Sequence, residues 1–307
     1  MRKIITVTTI LLSALLLISG CRRRERAQID NAAIVREVVA SQLNKEPEDV
    51  NEVDYAKTTH LSLAHSQLSD LTPIKELKNI QWLSLVATKV SDLTPLTELK
   101  NLRRLELDDT AVSDITPLKE LIGLQELGLG DTKVSDLTPI KGLTGLQWLD
   151  VSGTSVCDLT PIKEIKGLRG LSINKTKVSD FTSLKELNKL RSLHVSGTKV
   201  SDLTLIKELV GLEFLELSGT AVSDLMPIKE LKNLQWLYLH GTAVSDLTPI
   251  KELVGLQWLD LSGTAVYDLT PLEELKGLKE LCLYGTKVSD EQVAELKKAL
   301  PKLKIIR

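Results

Sequence analysis

Side chains with reactive chemistry are few, because the 307-residue chain contains only three cysteines and four histidines. A thiolate can act as a nucleophile or a metal ligand, and an imidazole can act as a base or a ligand. Neither residue type shows the close spacing of a metal motif. The chain has no glycine-rich phosphate loop, and nothing orients a base onto a serine or cysteine nucleophile. The sequence therefore predicts a protein that is not an enzyme and needs no cofactor or metal.

The remaining residues are positioned by a repeat. A unit of 22 residues recurs ten times without insertion between residues 70 and 289, and reads L-x-x-L-x-L-x-x-T-x-V-S-D-L-T-P-I-x-x-L-x-x. A fixed period of this length indicates a solenoid, in which each unit forms one coil and contacts only its neighbours. His194 and His240 are then two coils apart, roughly 10 Å, so a shared metal is not expected.

This unit resembles the leucine-rich repeat, with threonine where the common pattern has asparagine. Its period and its SDLTPI segment look most like the repeats of bacterial internalins and related surface proteins, over about residues 30–307. The resemblance implies an α/β fold: a curved, right-handed β-α superhelix with a parallel sheet on its concave side and short 3-10 or α segments on its convex side. It also implies a recognition or adhesion role for the concave side.

Each position of the unit has a physical role. Leu234, Leu237 and Leu239 are expected to point inward and stack on their copies in neighbouring coils. The threonine, present in all ten units, should hydrogen-bond the backbone where the chain leaves the strand and so pair buried amides. Proline should start a short helical segment. In two coils Ser183 and Leu205 replace this proline, and we expect only local variation there.

The ends differ from the repeat, as a solenoid requires. The sequence predicts a helical cap over residues 30–57, with Asp30 as its N-cap. The repeats are predicted over residues 58–289, and a C-terminal cap helix and edge strand over residues 290–307. Ser289 and Gln292 fit a capping box. Leu303 and Ile305 are predicted to align with Leu281 and Leu283, which gives twelve strands in one domain.

Outward strand positions form columns along the concave face, and all four tryptophans fall in one of them. Phe214, Trp236 and Trp258 occupy consecutive coils, with Tyr238 beside them and Tyr284 beyond, so a contiguous aromatic patch is predicted. The predicted binding residues also include its polar surroundings and two tryptophans that the pattern leaves isolated: Glu216, His240, Asp260, Trp82 and Trp148. Glu280 also borders the patch. Alternatively, stacked aromatics stabilise the strand ladder and bind nothing.

The same register predicts the positions of two of the cysteines. Cys157 falls on a turn more than five coils from Cys282, which is too far for a disulfide. Cys282 lies at an outward position, where it is either an exposed thiol or a tolerated small residue.

The N-terminal sequence predicts export. Arg2 and Lys3 precede an apolar run to Gly20, and residues 17–21, LISGC, look like a bacterial lipobox. The resemblance implies a signal peptide over residues 1–20 and a diacylglyceryl group on Cys21, so that residues 21–29 form a lipidated, basic tether to a membrane. The alternative is an ordinary cleaved signal with an incidental cysteine. Arg22 stands where an aspartate would favour inner-membrane retention, so the outer membrane is favoured.

The function that follows is a monomeric cell-envelope lipoprotein that binds a protein partner through its concave face. A formal net charge of −2 gives no reason to expect nucleic acid. Two alternatives stay open at this point. Tryptophan and tyrosine faces flanked by carboxylates also suit carbohydrate, and a structural envelope spacer would need no ligand.

Overall fold

The computed structural model describes residues 29–307. The predicted signal peptide, Cys21 and nearly all of the basic tether lie outside the described residues. No helix in the described part has the length and apolar character needed to cross a membrane.

Each repeat forms one coil that contains a three-residue strand and a short 3-10 segment. Leucine at the centre of each strand of a repeat is buried, while the residues on either side of it face outward; the last strand has the half-buried Ile305 at its centre. The strands are β1 His60–Ser62, β2 Trp82–Ser84, β3 Arg104–Glu106, β4 Glu126–Gly128, β5 Trp148–Asp150, β6 Gly170–Ser172, β7 Ser192–His194, β8 Phe214–Glu216, β9 Trp236–Tyr238, β10 Trp258–Asp260, β11 Glu280–Cys282 and β12 Lys304–Ile306. They pair in parallel, in chain order, to form one twelve-stranded sheet.

On the convex side, residues of the TPI segment form 3-10 turns because proline fixes φ at their start and the segment is too short for an α-helix. These turns are Thr72–Glu76, Thr94–Glu98, Thr116–Glu120, Thr138–Ile140, Thr160–Glu164, Thr182–Glu186, Ile206–Glu208, Met226–Ile228, Thr248–Ile250 and Thr270–Leu272. The coil with Ser183 keeps a full turn, whereas the coil with Leu205 begins its turn at Ile206. The prediction of local variation is confirmed for Leu205 but not for Ser183.

The core is a column of leucine, isoleucine and valine side chains between sheet and turns. Leu237 is fully buried and pairs in register with Leu215 and Leu259. This stacking makes each coil depend on its two neighbours. Removing one such side chain would cost about 2–5 kcal/mol, the usual range for a leucine-to-alanine cavity.

The threonine column lies where the chain leaves each strand. Thr242 Oγ1 donates to the Leu239 carbonyl oxygen at 2.7 Å, and the same bond recurs in the other nine repeats. The predicted contact with the backbone is confirmed. The bond that recurs in all ten repeats goes to a carbonyl rather than to the amide that the sequence suggested, although Thr154 Oγ1 also accepts from the Val156 N–H at 3.4 Å.

Helices cap the N-terminal end. Helix α1 spans Asn31–Leu43 and is capped by Asp30, as predicted. The Asp30 Oδ1 accepts from the Ala33 N–H at 2.9 Å. Its Val35 and Val39 are fully buried against the first coils. After a 3-10 turn at Pro47–Asp49, helix α2, Glu52–Lys57, leads into β1.

At the C-terminal end two predictions are wrong. Helix α3, Asp290–Ala299, is longer than the 3-10 turn of a repeat, so the last coil is longer and Ile305 pairs with Leu281, two residues from the predicted register. Ser289 caps α3 by accepting from the Gln292 N–H. The Gln292 side chain does not complete a capping box; its Oε1 accepts from the Leu269 N–H at 2.9 Å and ties α3 to the preceding coil.

Candidate ligand-binding face

The concave face is built from outward residues of three-residue strands. Trp236 and Tyr238 flank the buried Leu237 on β9, and the Trp236 side chain is 36% exposed. Because neighbouring strands lie about 4.8 Å apart, aromatic side chains on successive strands come within contact distance. Because the outward side chains point away from the buried leucines, they can vary without disturbing the core.

Five rings form a continuous series across this face. Ring centroids are 6.0 Å apart for Trp148 and His194, 4.5 Å for His194 and Phe214, 5.3 Å for Phe214 and Tyr238, and 6.1 Å for Tyr238 and Trp258. We call these five residues the aromatic row. It runs obliquely from β5 to β10, alternating between the first and last residues of the strands.

The row depends on a glycine. Gly170 on β6 lies beside Trp148 on β5, and a Cβ on Gly170 would come 2.0 Å from Trp148 Cε3. Without that side chain, the Trp148 ring leans over β6 and meets His194 on β7 edge-on. The prediction that Trp148 is isolated is therefore wrong. The sequence does contain a signal for this contact: Gly170 occupies an outward position on β6, the strand directly after the one that contains Trp148.

His194 is the residue that sequence reasoning missed. It stacks on Phe214 with an interplanar angle of 27°, and its Nε2 lies 2.8 Å from Ser192 Oγ. Burial lowers the pKa of His194, and the negative charge of Asp150 opposes this effect. A ring whose pKa lies below its usual value is neutral at pH 7 and serves as an aromatic contact rather than as a cation.

Trp236 lies beside the row and not within it. It makes no ring stacking contact within the described residues. Instead it lines a shallow groove of about 350 Å³. The other residues lining the groove are Arg191, Ser192, Glu213, Phe214 and Tyr238.

The predicted residues Tyr284 and His240 are exposed on the same face but join no ring contact with the row among the described residues. Tyr284 follows β11 and is 56% exposed. Cys282 is 9% exposed, so an exposed thiol there is wrong. Burial raises the pKa of its thiol, and the charges of Asp260 and Glu280 raise it further, so Cys282 is protonated and unreactive.

Carboxylates border the row. The predicted residues Glu216 and Asp260, together with Asp150, each accept one hydrogen bond from the backbone N–H two residues later, at 2.8–2.9 Å. Burial raises the pKa of the Tyr238 hydroxyl, and the charges of Glu216 and Asp260 raise it further. Tyr238 is therefore a neutral hydrogen-bonding group between two fixed negative charges.

The N-terminal part of the face is different. Trp82 meets only His60 in a ring contact among the described residues, at 6.2 Å. It is separated from the row by β3 and β4, where Arg104 pairs with Glu106 at 2.6 Å and Glu126 at 3.0 Å. Trp82 was predicted as a separate element of the face, and the structure keeps it separate.

Next to Trp148 lies a depression of about 150 Å³ whose polar lining includes Arg104, Glu106 and Asp108. Burial raises the pKa of Asp108, and a hydrogen bond from the Gly130 N–H partly offsets this. Residues 29–307 contain no group of three or more His, Cys, Asp or Glu side chains arranged to hold a metal ion.

The parallel sheet, the buried leucine column and the 3-10 turns define a leucine-rich repeat solenoid. No protein-family model matches the chain. No curated protein matches its sequence. Among solved structures, an internalin from Listeria monocytogenes is 27% identical with a TM-score of 0.78, and the match covers 89% of this chain and 88% of that one.

A leucine-rich repeat protein from Leptospira interrogans is 25% identical with a TM-score of 0.69, and the match covers 82% of this chain and 73% of that one. A plant peptide hormone receptor, solved in complex with RGF2, is 22% identical with a TM-score of 0.64 over 81% of this chain and 43% of its own. At that identity the receptor shares the fold alone. The two bacterial neighbours support a bacterial leucine-rich repeat protein with internalin-like repeats.

Proposed function

We propose that the chain is a recognition module of the bacterial cell envelope, and that it binds a protein partner through the aromatic row. The observation that carries this proposal is the continuity of the row. Five rings cross the strands from β5 to β10, a span of about 24 Å at the usual strand spacing. Tryptophan and tyrosine, which supply three of the five rings, are enriched among the hot spots of protein interfaces.

A purely structural role for these rings fits less well. The rings contact one another on the outer surface, whereas the core beneath them is complete without them. The indole N–H groups of Trp258 in the row and of Trp82 outside it are covered and make no hydrogen bond to a described residue. An unpaired buried donor costs about 1–3 kcal/mol, which opposes any gain from stacking.

A partner of protein class is supported by the fold of the neighbours. The plant receptor, which has this fold, was solved in complex with RGF2. The internalin and the Leptospira protein have the same architecture over most of this chain. Carbohydrate is the competing ligand class, since stacked rings beside carboxylates also suit sugars.

The test is a cross-linking pull-down with the full-length chain, run beside a glycan array. Phe214→Ala, which removes the centre of the row, should abolish capture of a protein partner. Trp82→Ala is the matched control, because it removes an aromatic residue of the same face outside the row. Equal capture by both variants would overturn the proposal, and a glycan-array signal that Phe214→Ala removes would assign the row to carbohydrate.

A gentler variant tests the geometry of the row. Gly170→Ala adds a methyl group at the place that the Trp148 ring occupies, so the ring must move although no aromatic group is lost. Partner binding should weaken while the fold is retained. Unchanged binding would exclude Trp148 from the site.

The envelope location rests on Cys21 and the LISGC segment. In this proposal the protein reaches the outer membrane by its lipid, acts as a monomer and has no catalytic activity. Cys21→Ala should abolish palmitate labelling and either release the protein from the membrane fraction or leave an uncleaved precursor. Normal labelling of that variant would contradict the lipid anchor.

A further inference from the structure

We propose that the segment bound by the aromatic row is an extended, basic stretch of the partner polypeptide, whose arginine or lysine side chains lie on the rings and reach the carboxylates beside them. This inference rests on the proposed function and names the chemistry of the partner. It follows from the charges around the row, their unused hydrogen-bonding capacity and their spacing.

The first step concerns charge. Of the Lys and Arg residues at outward strand positions of the described sheet, Arg104 pairs with Glu106 and Glu126, and Lys304 pairs with Glu280. From β5 to β10 the outward strand positions contain no Lys or Arg. Asp150, Glu216 and Asp260 lie on this stretch, and none of them forms an ion pair within the described residues. The row is therefore bordered by negative charge that the described residues leave unpaired.

Positive charge does lie nearby, on the flank that precedes the strands. Arg191 lines the groove beside Trp236, but it donates to the Gly211 carbonyl oxygen at 2.7 Å and approaches Glu213 at 3.8 Å. Arg169 occupies the same flank and is exposed. The carboxylates lie at the last residue of their strands, in the same column as His194 and Tyr238 of the row. On their flank Lys175 is exposed in the turn after β6. None of these described cations pairs with Asp150, Glu216 or Asp260, so these carboxylates remain open to the cationic side chains of a ligand.

The second step concerns hydrogen bonding. Each of the three carboxylates uses one oxygen to accept from a backbone N–H, and its other oxygen makes no hydrogen bond to a described residue. The N–H contacts fix the carboxylates in place. A guanidinium or ammonium group above the neighbouring rings gains a cation–π contact and an ionic hydrogen bond together. The neutral hydroxyl groups of a sugar could donate hydrogen bonds to the carboxylate oxygens but would leave their negative charge uncompensated.

The third step concerns spacing. Glu216 on β8 and Asp260 on β10 are two strands apart, which corresponds to about 9.6 Å. In polyproline II conformation, side chains at every third position point the same way and repeat at about 9.3 Å. A basic residue at every third position of an extended segment therefore matches both carboxylates. About eight residues would cross the whole row at that rise.

The experiment uses the full-length chain and synthetic peptides of about nine residues. One peptide is proline-rich with arginine at every third position. Its matched partner has glutamate at those positions, and a third peptide has the same composition as the first with the arginines adjacent. The arginine-spaced peptide should bind most tightly, and binding should weaken as salt rises, because charge contributes to it.

Two charge-neutral variants locate the effect. Glu216→Gln and Asp260→Asn should each weaken the arginine-spaced peptide by about threefold to tenfold, and leave the glutamate peptide unchanged. Glu126→Gln is the control, because Glu126 lies on the same face but already pairs with Arg104. The inference is overturned if the arginine and glutamate peptides bind alike, or if Glu216→Gln and Asp260→Asn have no more effect than Glu126→Gln.

Failure of this inference is distinguishable from failure of the proposed function. If Phe214→Ala abolishes capture of a protein partner but Glu216→Gln and Asp260→Asn do not weaken it, the row binds protein through a segment that is not basic. If Phe214→Ala itself leaves capture unchanged, the proposed function fails.

Discussion

The coils from β1 to β4 and those from β5 to β10 share one backbone and one leucine core but present different outer faces. In the first group Arg104 pairs with both Glu106 and Glu126, and Trp82 meets only His60 among described rings. In the second group rings contact one another across six strands and the carboxylates remain unpaired. This contrast shows that the repeat determines the backbone and the core, whereas the residues at outward positions vary independently of both.

The two groups also differ in the turn after the strand. One residue per coil there has positive φ, and glycine occupies this place in every coil from β7 to β11. The earlier coils mostly use other residues: His65, Ala87, Asp109, Asp131 and Lys175, with Gly153 after β5 as the exception. Left-handed backbone costs an L-residue about 1–2 kcal/mol, so the N-terminal coils carry more local strain.

The largest expected effect separates scaffold from face. Deleting residues 114–135 removes one coil that contains β4, and deleting residues 202–223 removes one that contains β8. Both chains should fold as shorter solenoids, because each coil contacts only its neighbours. Only the second should lose partner binding, since it removes Phe214.

Circular dichroism and pull-down measure these two outcomes. Deleting residues 114–124 removes half a coil and is the control. It should unfold part of the chain because the leucine register breaks. Equal thermal stability of the half-coil and whole-coil deletions would contradict the coil-by-coil scaffold.

A smaller effect compares the two sides of one strand. Leu237→Ala should lower the free energy of unfolding by about 2–5 kcal/mol, because it leaves a cavity in the core. Trp236→Ala on the same strand should lower it by about 1 kcal/mol or less, since only ladder contacts are lost. Urea unfolding measures both. Similar losses would show that the outer ring is part of the structural framework.

The turn comparison predicts effects of opposite sign. Gly241→Ala should lower the free energy of unfolding by about 1 kcal/mol, because φ is +66° there while a methyl group meets no atom within 4 Å. Ala87→Gly, where φ is +55°, should raise it by no more than about 0.5 kcal/mol, since the relief of strain is offset by the greater chain entropy of glycine. If both variants are destabilised, backbone strain at the turn does not distinguish the two groups of coils.

The smallest effect concerns acid and applies to both groups of coils. Asp180 accepts from the Thr182 hydroxyl at 2.5 Å and from its backbone N–H at 2.8 Å, and these bonds hold the pKa of Asp180 below its usual value. The stabilisation is present above the unfolded-state pKa of about 3.9 and is lost as pH falls through the lower folded-state pKa. The same direction of shift applies to Asp70, Asp92, Asp114, Asp136, Asp158, Asp202 and Asp246.

Urea unfolding at pH 6 and pH 3 tests this prediction. Asp180→Asn should lose less stability between the two pH values than the unchanged chain, because an amide oxygen still accepts from Thr182 but does not titrate. Asp180→Ala is the control that removes the acceptor altogether. An identical pH dependence of the unchanged chain and Asp180→Asn would rule out a contribution from this carboxylate.

The fold was predictable from sequence because the leucine frame repeats without insertion. Which residues face outward followed from the same frame. The last strand was misaligned because the frame ends where α3 replaces a 3-10 turn, and no periodic signal spans that change. The frame predicts Cys282 at an outward position but not its burial, which follows from β12, where Ile306 pairs with it.

The aromatic row was only partly predictable. Columns correctly grouped Phe214 with Tyr238 and Trp258, because adjacent strands bring them together. They could not show that Trp148 reaches His194, since this contact depends on ring orientation and on the space left by Gly170. They also placed Trp236 in the aromatic patch, and it lies beside the row, where it lines a groove together with Phe214 and Tyr238.

The strict neighbour-to-neighbour order of the sheet has a mechanical consequence. Every strand between the ends bonds only to the strand before it and the strand after it. A pulling force applied between the N-terminal end and a molecule held on the aromatic row is therefore carried in series by the coils of β1 to β4. The coils beyond β10 and helix α3 bear none of that load. The coils with the paired charges would then act as the tension-bearing stem of the molecule, and their resistance to peeling, not that of the whole solenoid, would limit the force it withstands.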